Sequence, residues 1–176
     1  MRHDIERRAA RRPDADSRPR LVPFAPAHLA ALSPRAFERL TFGLQGGHDR
    51  ETAARLAALG PAFSLLRGRE VVACAGIMLG PVRPDGTRAG DAWALTGEAV
   101  ERFPLAFHRA VRRTLGALVA GHGLSRVQAL CLAGHARSRR WLNRLGFRRE
   151  TLEPGMACML PGARLHLYAL TREDGS

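Results

Sequence analysis

Between Ser125 and Phe147 an apolar run passes directly into a short arginine-rich segment that ends Leu145, Gly146, Phe147. Val127, Ala129, Cys131 and Ala133 alternate with Gln128, Leu130 and Leu132, so both faces are largely apolar, as in a strand inside a covered sheet. The strand is therefore read as a central one. After Gly134 and His135, the segment from Ala136 to Leu145 sets Trp141 and Leu145 four apart with Leu142 beside them. Arg137, Arg139, Arg140 and Arg144 take the remaining sides. This spacing predicts a helix with one core face and a solvated remainder. Gly146 stands where a helix end needs a positive φ, and Phe147 is placed to fold back onto the last turn.

The rest of the chain supplies elements on either side of this unit. Residues Met1 to Arg20 hold seven arginines among acids and prolines and read as a flexible basic arm. Leu21 to Phe24 is a short first strand, and Ala25 to Leu32 a turn or short helix. Pro34 to Phe42 is a helix, which Leu44 extends past Gly43. Asp49 opens another helix, with Ala53, Leu56 and Leu59 as inner positions before Gly60 and Pro61 stop it. Phe63 to Leu66 and Val71 to Met78 form a hairpin around Gly68. After the turn from Gly80 to Gly90, Asp91 to Thr96 is the next strand. Phe103 to Ala120 is the longest helix, with Phe107, Val111, Leu115, Leu118 and Val119 on its buried stripe. Strand pieces in Phe147 to Leu160, a final strand from Arg164 to Leu170 and a polar tail over 172–176 close the chain. A strand, long helix and strand in succession make a parallel crossover. The expected fold is thus α/β (α+β): a mixed, mostly antiparallel sheet of six to seven strands with about four helices, in one domain over 21–171. Such a sheet splays where its parallel pair parts, and that gap is a ligand cleft.

Charge and cysteine usage narrow the function classes. All 28 basic residues are arginine, and the formal charge is +12. With only two isoleucines and one asparagine, that bias follows GC-rich coding as readily as selection for a surface. It favours weak electrostatic contact with nucleic acid, an acidic protein or nucleotide phosphates, but no nucleic-acid motif accompanies it. Cys74, Cys131 and Cys158 are widely spaced among apolar residues, which suits reduced core thiols, and no histidine stands at a ligand spacing from them. No metal is expected. Neither a membrane-length apolar run nor a signal-peptide pattern is visible, so the expected compartment is the cytoplasm, with no membrane partner.

The element order from Leu21 to Leu170, and above all the segment from His135 through Trp141 and Leu142 to Leu145, Gly146 and Phe147, resembles the GNAT family of N-acetyltransferases. The Trp-Leu pair in that helix is closest to a divergent phage-encoded branch. The resemblance implies acetyl-CoA as cosubstrate and an amine acceptor, with the cleft between the strand ending at Thr96 and the strand from Val127. His135 stands where the family has an asparagine, Ser138 where it has a small residue, and Leu142 where it has a tyrosine that protonates the leaving thiolate. The family's glycine-rich pyrophosphate loop has no counterpart: from Thr96 to Pro104, Gly97 is the only glycine. Backbone N–H groups must approach phosphate closely at such a loop, and Glu98 and Glu101 oppose an anion there while Arg102 favours one.

The candidate catalytic residues are accordingly Asp91 and Glu98 as bases and Ser138, with His135, as proton donor. The candidate cofactor-binding residues are Leu95, Thr96, Gly97, Arg102 and His135. Each also has an ordinary structural role as turn, cap or solvated face. Cys131 is excluded as a nucleophile, because an apolar strand raises a thiol pKa. The competing expectation is a GNAT-fold protein without catalysis, phage- or prophage-derived, that serves as a structural or interaction component. Its slot would be filled by side chains such as Trp93 or Phe103.

Overall fold

The computed structural model describes residues 18–43, 49–158 and 160–171, with backbone only for 40–43. The arm from Met1, the extension at Leu44 and the polar tail over 172–176 lie outside the described residues, apart from Arg18 to Arg20, the last of which begins the first strand. In chain order the elements are β1 (Arg20–Pro23), α1 (Pro26–Ala31), α2 (Ala36–Gly43), α3 (Arg50–Ala58), β2 (Ala62–Arg67), β3 (Glu70–Leu79) and β4 (Arg88–Thr96). A 3-10 turn (Glu98–Arg102) leads into α4 (Pro104–Gly121), followed by β5 (Leu124–Leu132), α5 (Ala136–Arg144), β6 (Arg148–Arg149), β7 (Met156–Ala157) and β8 (Arg164–Thr171). The eight strands form one mixed, mostly antiparallel sheet in the order β1, β2, β3, β4, β5, β8, β6, with β7 also on β8. Among the described strands only β4 and β5 pair in parallel, joined by α4. No helix among the described residues is long and apolar enough to cross a membrane.

Local chemistry accounts for the elements. Asp49 caps α3 by accepting the Thr52 N–H at 2.6 Å, and that bond, first among its contacts, holds its carboxyl below the usual range. Pro104 occupies the first turn of α4, where no N–H is needed. Gly68 turns the β2–β3 hairpin at φ 57°, and Gly146 ends α5 at φ 97°.

Two helix layers sandwich the sheet. α1 and α3 bring Leu29, Leu32, Ala53 and Leu56 onto Leu66, Val71, Cys74 and Leu95 of β2 to β4. On the other face α4 and α5 bring Phe107, Val111, Leu115 and Leu142 onto β3, β5 and β8 residues including Val72, Val127 and Tyr168. Each such fully buried side chain contributes about 1.5–3 kcal/mol. The covering is not symmetric, which corrects one expectation. Val127, Ala129 and Cys131 of β5 are buried beneath α4 and α5, but Leu130 is 55% exposed, because α1 and α3 lie over β2 to β4 only. Leu59, expected inside, is also exposed: it sits past the last turn of α3, where the chain swings into Gly60. Cys158 is half-exposed, unlike the buried Cys74 and Cys131.

Candidate functional site

The site arises from where two strands part. β4 and β5 pair only from Arg88 and Leu124 to Asp91 and Gln128. Antiparallel pairing directs alternate residues' backbone groups to one neighbour. The Gly97 N–H bonds Val72 O at 2.9 Å and Gly80 N–H bonds Ala89 O at 2.9 Å, so odd-numbered β4 residues face β3. Likewise Ala133 N–H bonds Arg164 O, so odd-numbered β5 residues face β8. The N–H and C=O groups of Ala94 and of Leu130 therefore point into the gap, past the last β4–β5 pair. The half-buried Ala94 groups demand hydrogen-bond partners, and an extended ligand bearing amides supplies them, there and at the exposed Leu130, as a missing strand would. The gap opens into a cavity of about 860 Å³ lined on its inner wall by Ala92, Ala94, Ala129 and Cys131.

At one end of the gap, segments distant in sequence converge. Backbone bonds run from Arg35 N–H to Thr96 O and from Glu98 N–H to Ser33 O, holding the entry to α2 against the end of β4. Glu38 accepts from Thr96 Oγ1 at 2.6 Å and from the Arg35 guanidinium at 3.0 Å. Arg137 of α5 pairs with Glu101 at 2.8 Å, and Arg35 reaches the same carboxylate at 4.0 Å. Phe37 stacks on His135 at 3.7 Å, and His135 Nδ1 lies 2.6 Å from Ser138 Oγ. Burial, then the Arg35 charge, lowers the His135 pKa below its ordinary value, so the ring is neutral at pH 7.

Four N–H groups of the turn before α4 are closed to an anion. Its N–H groups at Gly97, Glu98, Val100 and Phe103 bond Val72, Ser33, Gly97 and Val100. Positive charge comes instead from α5. Arg137, Arg140 and Arg144 fall at one stripe of the helix, and all three line the cavity opposite Pro104, Leu105 and His108. Arg140 and Arg144 have no carboxylate partner among the described residues, and both are exposed. Trp141, between them, stacks on Phe107 at 5.2 Å and fixes α5 to α4.

The candidates named from sequence separate into two groups. Asp91, Thr96 and Ser138 line the cavity. Asp91 is at the parting point, with Oδ1 accepting from Gln128 Nε2 at 2.7 Å. His135 stands behind Ser138. Leu95 is fully buried under α1 and α3, and its backbone faces β3, so the groups that reach the gap belong to Ala94. Gly97 packs against Leu32 and the Ser33 carbonyl, where a Cβ would sit 3.0 Å from each. Arg102 leaves the cavity to pair with Glu70 at 2.5 Å, and Glu98 is exposed outside the lining. Leu142, in the position of the family tyrosine, is a core residue 7% exposed. Burial raises the Cys131 thiol to about 11, which leaves it a wall and no nucleophile. Sequence reasoning passed over Arg35 and Glu38, which only tertiary contact brings to the gap. It also read the α5 arginines as solvated, although their recurrence on one stripe was visible.

No protein-family model matches the chain, and no curated protein matches it in sequence. Solved structures do resemble it. YncA from Salmonella typhimurium, solved with its cofactor acetyl-CoA, superposes with a TM-score of 0.65 at 14% identity, over 90% of this chain and 96% of that one. A GNAT-family acetyltransferase from Bacillus anthracis gives 0.63 at 17% identity, over 88% and 95%. The ribosomal-protein-S5-alanine acetyltransferase from Vibrio fischeri gives 0.62 at 15% identity, over 89% and 94%. Each covers nearly the whole described chain, and at such identities the likeness speaks for architecture: this chain has the fold of the GNAT-family acetyltransferases.

Proposed function

We propose that the unit from 21 to 171 is an N-acetyltransferase that moves an acetyl group from acetyl-CoA to an amine. The observation that carries this reading is the parted β4–β5 pair, whose unpaired Ala94 and Leu130 backbone groups run toward a mouth lined by Arg137, Arg140 and Arg144. Acetyl-CoA supplies the activated thioester, an amide-bearing arm and phosphates. Ala94 and Leu130 hold the arm as a strand would, and Thr96 fixes the wall through Glu38. The α5 guanidiniums take the phosphates in place of backbone N–H groups.

Asp91, at the parting point, accepts the proton that an ammonium must lose before attack. Ser138 donates to the departing thiolate, and His135, kept neutral, is hydrogen-bonded behind it. This leaves the acid role of the missing tyrosine with a weaker donor, and a modest rate follows. An open cavity supports catalysis over the structural reading, in which side chains fill the slot. Trp93 lines the cavity without closing it, and Phe103 turns to the Arg67 guanidinium, 5.2 Å from its ring centroid. Nothing favours the phage-encoded branch over the rest of the fold family. Calorimetric titration of the nucleic-acid-free protein with acetyl-CoA tests the proposal. Saturable one-to-one binding that survives raised salt is expected, and no saturation at millimolar ligand would end it.

A further inference from the structure

On the reading just given, the acceptor approaches from the face of the sheet that α1 and α3 leave bare. Strand register places Asp91, Trp93, Gln128, Leu130 and Leu132 on that face, with Leu167 and Leu165 opposite Leu130 and Leu132. Two features set it apart. First, its one carboxylate has no cation. Glu38, Glu70, Glu101, Glu150 and Glu153 are each held by an arginine. Asp91 lines the cavity and, among the described residues, is engaged only by the Gln128 amide through one oxygen. In a chain with 28 arginines, a cleft carboxylate without a guanidinium is a counter-charge for a cation from outside. Second, the surface beyond it is apolar. Leu130 is 55% exposed, and Leu132, Leu165 and Leu167 are half-buried around it. At about 3.3 Å per residue, this four-leucine shelf begins roughly 7 Å from the Asp91–Gln128 pair.

We infer that the acceptor is a primary monoamine carried on an apolar body, with its nitrogen at Asp91 and that body on the leucine shelf. Asp91 takes one proton from the ammonium. The freed lone pair attacks the thioester carbonyl, the C–N bond forms as the C–S bond breaks, Ser138 protonates the leaving thiolate, and the second proton released by nitrogen returns through solvent to the Ser138–His135 pair. A polyamine would have to place its second cation on leucines or against Arg35 and Arg137. A free amino acid would set its own carboxylate beside Asp91. Both are disfavoured, the one by a second cation set on leucines or beside like charge, the other by like charge next to Asp91.

The test measures amine-dependent thiol release at saturating acetyl-CoA for 2-phenylethylamine, hexylamine, spermidine and phenylalanine, with acetyl-CoA affinity measured separately by calorimetry. The expected kcat/KM for 2-phenylethylamine, like that for hexylamine, exceeds that for spermidine and phenylalanine by at least tenfold. Leu165→Arg raises its KM about tenfold with acetyl-CoA affinity unchanged, while Leu165→Met restores wild-type values. Asp91→Asn lowers kcat/KM for every amine. Acetyl-CoA binding accompanied by preference for spermidine or phenylalanine, by no turnover with either apolar amine, or by an unaltered KM in Leu165→Arg would overturn this inference alone. Failure of acetyl-CoA to bind would overturn it together with the acetyltransferase reading.

Discussion

Reversing two charges on α5, Arg140→Glu with Arg144→Glu, is expected to weaken acetyl-CoA binding about a hundredfold. Both side chains are exposed and neither holds a carboxylate among the described residues, so the change frees no buried acid and breaks no internal ion pair. Exposed charge pairs are worth up to about 1 kcal/mol each, below the roughly 1.5–3 kcal/mol of well-formed charged hydrogen bonds. Taking about 1 kcal/mol lost per arginine and about half as much repulsion from each new glutamate gives roughly 3 kcal/mol, near two decades at 1.4 kcal/mol per decade. Neutral Arg140→Gln with Arg144→Gln keeps the repulsion out and is expected to cost about thirtyfold by the same arithmetic. Calorimetry at two salt concentrations measures both, with Arg83→Glu and Arg113→Glu, off the cavity lining, as a control of equal charge. The wild-type affinity falls with salt, and the reversed variant's much less. A reversed variant within about threefold of the control would refute the assignment of the phosphates to α5.

Three further outcomes follow from the packing and the titrating groups. Trp141→Ala removes the stack on Phe107 and part of both clusters on that face; a loss of about 2–3 kcal/mol is expected, or roughly 5–10 °C in melting temperature. A loss under about 2 °C would show that α5 is anchored elsewhere. With burial raising Cys74 and Cys131 to about 11, alkylation at pH 8 should modify Cys158 first, read by peptide mass; prior labelling of Cys131 would contradict the packing of β5. His135, lowered by burial and Arg35, takes up its proton later in the folded protein than in the unfolded chain. Its contribution is therefore present above about pH 6.5 and is lost as pH falls from there through the folded value. Melting curves from pH 8 to 5 should decline less steeply for His135→Asn, and equal slopes would refute the assignment.

What could be read from the sequence was what local physics decides. The strand and helix from Val127 to Leu145, the positive φ of Gly146 and Gly68, and the periodic stripe of α4 each rest on spacing within one element. Paired strands of two residues, β6 and β7, carry too little pattern to announce themselves. Leu130 reads as core in any one-dimensional pattern, since only the reach of α1 and α3 decides that its face is bare. The site followed the same division. Asp91, Thr96 and Ser138 were reachable because they lie at the ends of elements flanking the gap. Glu38 meets Thr96 across 58 positions of sequence, a contact that the α2 sequence does not signal. Arg102, Glu98 and Leu95 show the converse. Neighbours in sequence to the gap, they are turned from it by Glu70, by solvent and by the pairing with β3.

The central claim is that an amide-bearing thioester lies between β4 and β5 as a strand substitute. Its most direct test is an amide-resolved NMR titration of the full chain with acetyl-CoA, reading chemical shift and hydrogen exchange at Ala94 and Leu130. Both amides should shift together with saturation and exchange more slowly in the complex, while those of Leu95 and Ala129, already paired to β3 and β8, change little. Saturable binding that leaves Ala94 and Leu130 unmoved would place the ligand elsewhere and contradict the claim.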